Sequence, residues 1–589
     1  MSYMRNLLFC LLALCLSQFA VAQLPPSFAS SAIFQKDPLD RAYITPTRIV
    51  WTSDSGRNMI QNAEVLLRPG VGQSDMASTP KCSMENRGNA QASIILDFGR
   101  EIHGGLQLIM GMGNSTQPTQ VRLRFGESVA ETCSDLFPDW KVGFATNDHA
   151  MRDMVVDIPR DGSMEIGNTG FRFVRIDILP ANRKVVFKEI RAILRYRDIP
   201  YQGTFKCNDE RLNTIWATAA YTTHLNMQEF LWDGIKRDRT IWLGDMHPEV
   251  ATINYVFGAN PIVPATLDYA NFMYPLPGWM NGMSNYSLWW IVIQHDWYMH
   301  HGDLNFLKTQ KDYLTGLVRQ ILAKVKEDGS ADLSGFPFLD WPASPNAAGV
   351  KAGTHALIVW ALQDAIVLCK ALGETGVVQE CEAGIERLRK GVLPHNGLKQ
   401  AAALMSLAGT MDAEKAASEV LSVGGSKGFS TFYGFYMLQA QAKAGHYQQA
   451  LDVIREYWGG MVDAGATTFW EDFDLEWARG TTPIDAMPVA GKKNLHGDFG
   501  AYCYPGYRLS LCHGWSSGPA PWLSEHVLGF QVVEPGCRVV RIAPHLGDLE
   551  WAEGTFPTPY GLIKVSHKKG PGGQIESKID APRQIRILR

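Results

Sequence analysis

The stretch "LWDGIKRDRTIWLGD", Leu231 to Asp245, holds three aspartates, two arginines, one lysine and two tryptophans. Two readings fit such crowding. One is a solvated helix face laced with ion pairs. The other is a polar pocket floored by large rings, the kind of surface that grips a hydroxyl-rich ligand. The surrounding chain decides between them.

Downstream of this stretch the apolar residues recur at helical spacing. "YSLWWIVIQHDWYMHHG", "LNFLKTQKDYLTGLVRQILAKVKE" and "THALIVWALQDAIVLCKALGE" are examples, and several such runs stop at Gly. About ten to twelve helices, mostly paired, fit between Asp209 and Gly529. Two architectures suit them, an α-solenoid or a closed (α/α)6 toroid. Long loops rich in Trp, Asp and Pro, such as "FPFLDWPASPN" and "TTFWEDFDLEW", favour a toroid with a functional mouth.

Upstream the pattern changes. "ASIILDFG", "GLQLIMGMG", "VRLRFGE" and "FRFVRIDIL" are short, β-branched or aromatic, and bounded by turn residues. Many strands without intervening helices predict a β-sandwich of jelly-roll type. After Phe530, short strands with Pro and Gly turns return as a small C-terminal β-sandwich. The expected multidomain α and β chain therefore has a signal peptide at 1–22 and an N-terminal β-sandwich at 23–203. The (α/α)6 domain follows at 204–530 and the C-terminal β domain at 531–589.

The signal peptide rests on Arg5, the apolar run Leu7 to Leu16 and Ala20-Val21-Ala22 before Gln23. That run is too short to span a bilayer, so the chain is expected in the periplasm or outside the cell, with no membrane insertion. A net charge of -4 over 589 residues offers no basic field for nucleic acid. The ten cysteines include no CxxC pair, so zinc is not expected. Cys82 and Cys133 fall in one predicted β region and are the expected disulfide, if any forms.

Glycoside hydrolysis needs two carboxyl groups facing each other across a cleft, and they seldom lie on one short segment. Three acidic, aromatic loops are available. The first is the opening stretch. The second is "GATTFWEDFDLEW", with Glu471, Asp472, Asp474 and Glu476. The third is "FLDWP", Phe338 to Pro342.

These motifs resemble those of the α-L-rhamnosidases, glycoside hydrolase family 78 and its relatives. "WDGIKRDRTIWLGD" is similar to their Asp-rich signature, "AGATTFWE" to their second acidic motif and "FLDWP" to their Asp-Trp motif. "IAPHLGDLEWAEGTFPTPYG" looks like the start of their C-terminal β domain. The resemblance implies an inverting hydrolase that releases terminal α-L-rhamnose without a cofactor. It implies Glu471 as general base and Asp238 as general acid, with about 6.5–9.5 Å between the carboxyls for a water. Asp233 and Asp245 would hold sugar hydroxyls. Arg237, Trp242, Asp340, Trp341 and Trp470 would line the pocket, and His513 would contact the sugar or start a helix.

One position departs from the family pattern. The middle acid is usually Glu, and Asp238 is one methylene shorter. Its flanking arginines also pull its pKa down, against the needs of an acid. Either the backbone sits closer, or the linkage differs, or another acid such as Glu249 serves. Two further classes stay open: a carbohydrate-binding protein without turnover, and a polysaccharide lyase on the same toroid. "GWSSG", Gly514 to Gly518, matches the G-x-S-x-G pattern of esterases, but Pro519 and Pro521 interrupt the helix such an elbow needs.

Overall fold

The computed structural model describes residues 37–53, 56–135, 152–500 and 506–589. The expected signal peptide lies outside the described residues.

The N-terminal region is an antiparallel sheet of nine strands. Along its main path the order is Ile60–Gln61, Cys82–Glu85, Lys184–Tyr196, Ser93–Met110, Gly162–Ile178, Thr119–Gly126 and Asp153–Ile158. Asp40–Ile44 adds to Lys184–Tyr196, and Arg48–Thr52 to Ser93–Met110. Two stretches expected as separate strands, 92–99 and 105–113, are one strand of 18 residues. The chain continues through the intervening Gly residues by slipping register twice, between Asp97 and Ile102 and between Gly104 and Leu106. Gly104 has φ 147°, and a Cβ there would fall 2.0 Å from the Ile193 carbonyl oxygen, so only glycine lets the neighbouring strand approach. This sheet has its own core, with Phe98, Phe125 and Phe171 packed edge to face.

Cys82 and Cys133 are both free thiols, which corrects the expected disulfide. Cys82 sits in a strand opposite Phe187, whereas Cys133 ends the short helix Val129–Cys133. Burial pushes the Cys82 thiol up to about 12, so it behaves as a small apolar side chain.

The central region is helical. Its helices start where short polar side chains cap them: Asp209 accepts from the Arg211 and Leu212 amides, Asp303 from Phe306 and Asn346 from Gly349. Several end at glycines in the left-handed conformation, including Gly302 and Gly373. Ala347–Leu372 is long and apolar enough to cross a membrane by length and composition. It is mostly buried, packed against Ser284–His301, Thr375–Lys390 and Lys399–Leu407. The Ser of the G-x-S-x-G pattern, Ser516, is buried, and its hydroxyl donates to the His513 carbonyl.

At the C-terminal end a four-stranded antiparallel sheet contains Trp551–Thr558, Gly561–Lys569 and Ile575–Asp580. Its fourth member comes from far upstream: Thr204–Cys207, just before the first long helix, pairs with Trp551–Thr558. A small sheet of Phe530–Glu534, Val539–Ile542 and Arg586–Leu588 completes this end. The helical and C-terminal regions share one continuous core.

Candidate active site

The acidic loop is folded back on itself. The Asp233 amide donates to the Thr240 carbonyl (3.1 Å), and the Thr240 amide returns a bond to Asp233 Oδ1 (3.0 Å). The Gly514 amide donates to the Asp233 carbonyl, so the loop is stitched to the segment around His513. At the tip Asp238 and Arg239 have φ of 50° and 52°. In this left-handed region Asp is tolerated far better than longer side chains, because its short polar group bonds locally.

Lys236 anchors the loop from below. Its side chain is 1% exposed and its ammonium lies 2.9 Å from Glu127 Oε2, itself 0% exposed. Glu131 Oε1 stands 3.5 Å away, and the Tyr507 and Leu509 carbonyls accept at 2.6 and 2.8 Å. Glu127 also accepts from the Leu511 amide (2.7 Å). Glu127, Glu131 and His496 bring ligand-type atoms within 4.8 Å of one another. The Lys236 ammonium supplies the positive charge that such a cluster calls for. On its other flank the loop is held by Arg239, whose Nη1 donates to the Asn168 carbonyl of the N-terminal sheet (2.7 Å).

The second acidic segment docks on 510–513. The Glu471 amide donates to the Ser510 carbonyl (2.9 Å), and Glu471 Oε2 accepts from the Ser510 amide (3.1 Å) and from Arg237 Nη2. Arg237 Nη1 is 3.4 Å from Asp238 Oδ2. One buried guanidinium therefore contacts both carboxylates. Arg237 is itself oriented by its Nε–H bond to the Arg508 carbonyl (2.7 Å).

These groups line a cavity of about 290 Å³. Asp233, Arg237, Asp238, Trp242, Asp245, Trp341, Glu471 and His513 all face it. Asp245 accepts from the Tyr286 hydroxyl (2.6 Å) and pairs with His513 Nε2 (3.2 Å). Burial raises its pKa. Burial, then the charges of Asp238 and Asp245, hold Asp233 well above the ordinary carboxylate range.

Two expected lining residues do not reach the cavity. The Asp340 carboxylate is occupied by Ser430 Oγ (2.6 Å), Gln400 Nε2 and the Ala343 amide, which close the turn after it. Trp470 does not line the cavity, and its ring packs edge-on to Phe473. Glu249, the alternative acid, is fully buried with no hydrogen-bond partner on either oxygen among the described residues, and burial holds its pKa well up. Its Oε1 lies 1.2 Å from where a Cβ at Gly514 would sit, so glycine is required there and the carboxyl is packed behind the cavity wall. The cavity adds Asn281, Met283, Tyr286, Phe336, Phe338 and Trp515. Phe336 and Phe338 precede the Asp-Trp pair, and Trp515 follows His513, so proximity to the motifs was their available signal.

Residues 200–375 match the model of the bacterial alpha-L-rhamnosidase 6 hairpin glycosidase domain, and residues 529–587 that of the bacterial alpha-L-rhamnosidase C-terminal domain. No curated protein matches. Among solved structures, the fold is similar to a GH78 family rhamnosidase of Bacillus sp. GL1 (TM-score 0.69, 23% identity, 87% of this chain and 54% of that one). It is also similar to an α-L-rhamnosidase from Aspergillus terreus (0.66, 18%, 87% and 61%). A rhamnosidase from Klebsiella oxytoca with rhamnose bound matches at 0.65 and 19%, over 83% and 96%. The chain spans between half and two thirds of the length of the first two.

Two measurements test the site's construction. Glu127→Gln removes the charge from the bonds to Lys236 and the Leu511 amide, worth about 2 kcal/mol. Amide exchange across 507–511 should then accelerate by about 30-fold. Unchanged exchange would show that Glu127 does not hold this segment. Burial also raises Asp472 to about 8 from 3.8. Its proton stabilises the fold fully below pH ~4, and that contribution is lost as pH rises through ~8. The melting temperature of Asp472→Asn should therefore gain on that of the parent chain between pH 5 and pH 9, whereas a constant difference would refute the assignment.

Proposed function

From a chain that carries the six-hairpin glycosidase domain and the C-terminal domain of the bacterial α-L-rhamnosidases, we propose an inverting glycoside hydrolase that removes terminal α-L-rhamnose, or a close analogue, from a glycan. The observation that carries this reading is the Arg237 guanidinium, which contacts both Asp238 and Glu471 at the cavity.

Glu471 acts as general base. It takes a proton from a water whose oxygen attacks the anomeric carbon. Asp238 acts as general acid and gives its proton to the glycosidic oxygen as the C–O bond breaks. Attack from the face opposite the leaving group yields β-rhamnose. Asp233 and Asp245 hold sugar hydroxyls, Asp245 being fixed by Tyr286 and His513. Trp242, Trp341, Phe338 and Trp515 supply the apolar walls.

The same reading gives the helical region an (α/α)6 toroid and the N-terminal sheet a jelly-roll sandwich. It puts the mature chain in the periplasm or outside the cell, where rhamnose-containing glycans are met.

Proton NMR of hydrolysis tests the proposal. Free β-rhamnose should appear first and mutarotate later. Glu471→Gln should lower kcat by about 100- to 10,000-fold. First release of the α anomer, or an unaffected Glu471→Gln variant, would exclude this mechanism.

A further inference from the structure

Glu471 lies on a loop, residues 465–485, that follows the helix Gly459–Asp463 and contains one short helix, Leu475–Ala478. The two ends of this loop touch. The Ile484 amide donates to the Ala464 carbonyl (3.2 Å). Gly465 has φ 97°, and a Cβ there would lie 3.1 Å from the Asp485 carboxyl, so glycine lets the neck close. Glu471 itself is held by the helical region. The Thr431 hydroxyl and Trp515 Nε1 donate to its carbonyl (2.6 and 2.9 Å).

The neck is held by the N-terminal sheet. Arg172 Nη1 donates to the Gly465 carbonyl (2.9 Å) and Arg48 Nη2 to the Asp485 carbonyl (3.0 Å). One carboxylate aims both arginines. Asp97, 2% exposed, takes two parallel bonds from Arg172, Nε to Oδ1 (2.9 Å) and Nη2 to Oδ2 (3.0 Å). Arg48 Nη2 also donates to Oδ2 (2.9 Å), and the Gly99 amide fixes Oδ1 (2.7 Å). A planar guanidinium held at two points keeps its direction, because turning it breaks a bond. Asp97 stands at the first of the two register slips in Ser93–Met110, a feature that re-aims side chains beside functional sites. Two more amides of the N-terminal region bond the loop near its ends. Glu101 donates to Thr467 Oγ1 (3.0 Å) and Val129 to the Ile484 carbonyl (2.8 Å).

We propose that Asp97 is a positioning residue for the general base. It holds Arg172 and Arg48 on the two ends of the loop 465–485, so the N-terminal sheet sets where Glu471 stands against the sugar. Asp97 itself touches no substrate and moves no proton. The inference rests on the hydrolase reading above, which gives Glu471 its role. A reacting group displaced by about 1 Å loses on the order of 100-fold in rate. Thr431 and Trp515 still hold Glu471 when the neck is loosened, so the expected loss is smaller.

Two variants test the neck. Asp97→Asn keeps the size and removes the charge that aims both arginines. Arg48→Met removes one arginine from a half-exposed position and so spares the core. On an aryl α-L-rhamnoside, kcat should fall about tenfold in Asp97→Asn and about threefold in Arg48→Met, with KM within about twofold of the parent. Amide exchange read by mass spectrometry follows the loop without any turnover. Exchange across 464–472 and 482–486 should accelerate about tenfold in Asp97→Asn, while Thr119–Gly126 keeps the parent rate. Parent-like kcat in both variants, or faster exchange confined to the sheet, would overturn the proposal and leave Asp97 a purely structural ion pair. Failure of the hydrolase reading shows separately, as no turnover by the unsubstituted chain. Exchange then still decides whether Asp97 holds the loop, and an unchanged rate across 464–472 would overturn it.

Discussion

The ammonium of Lys236 sits where water does not reach, and the arrangement of both acidic segments depends on what surrounds it. A buried cation must find carboxylates and carbonyls, and removing one partner of such a pair costs about 3–5 kcal/mol. The partners here come from three distant parts of the chain: Glu127 and Glu131 from the N-terminal region, Lys236 from the acidic loop, and Tyr507 and Leu509 from the segment behind Glu471. Arg237 follows Lys236 directly, and Ser510 follows Leu509. Fixing the lysine therefore fixes the guanidinium and the amide that both hold Glu471. The N-terminal sheet is part of the site's frame.

The electrostatics of the cavity bear on what it can hold. Asp233, Asp238, Asp245 and Glu471 face it, against Arg237 and His513. Arg237 is committed to two carboxylates, and Arg239 to the Asn168 carbonyl. No guanidinium of this pair is directed at a ligand's own carboxylate, which is what a lyase acting on acidic sugars would need. A neutral, hydroxyl-rich ring matches this mixture of polar and aromatic groups better.

Much of this was legible in the residues. The helical period, the alternating strands on either side of it and the acidic loops are local properties, and so were their consequences. What stayed hidden was set by pairing between distant residues. An extended segment does not say which of two neighbours faces inward, so Glu471 and Trp470 looked equally suited to the cavity. Asp340 looked free until Ser430 and Gln400 met it. The substitution of Asp for Glu at 238 looked like a defect of reach. It sits at a left-handed turn, which composition does not reveal. The Lys236 cluster could not be anticipated, because nothing near Glu127 signals a partner more than a hundred residues away.

The strand Thr204–Cys207 has a mechanical meaning. It pairs with Trp551–Thr558, so the chain enters and leaves the helical region through the same sheet. The helices form one long loop whose neck is tied by a ladder of backbone hydrogen bonds. Tension on the two ends of that loop would load the ladder before it reached any helix. Cutting the chain near residue 530 would also do more than shed a module. It would leave Thr204–Cys207 as an unpaired edge and open the shared core that the C-terminal strands cover. The last sixty residues thus work as a clasp, closing a loop of chain whose cavity lies elsewhere.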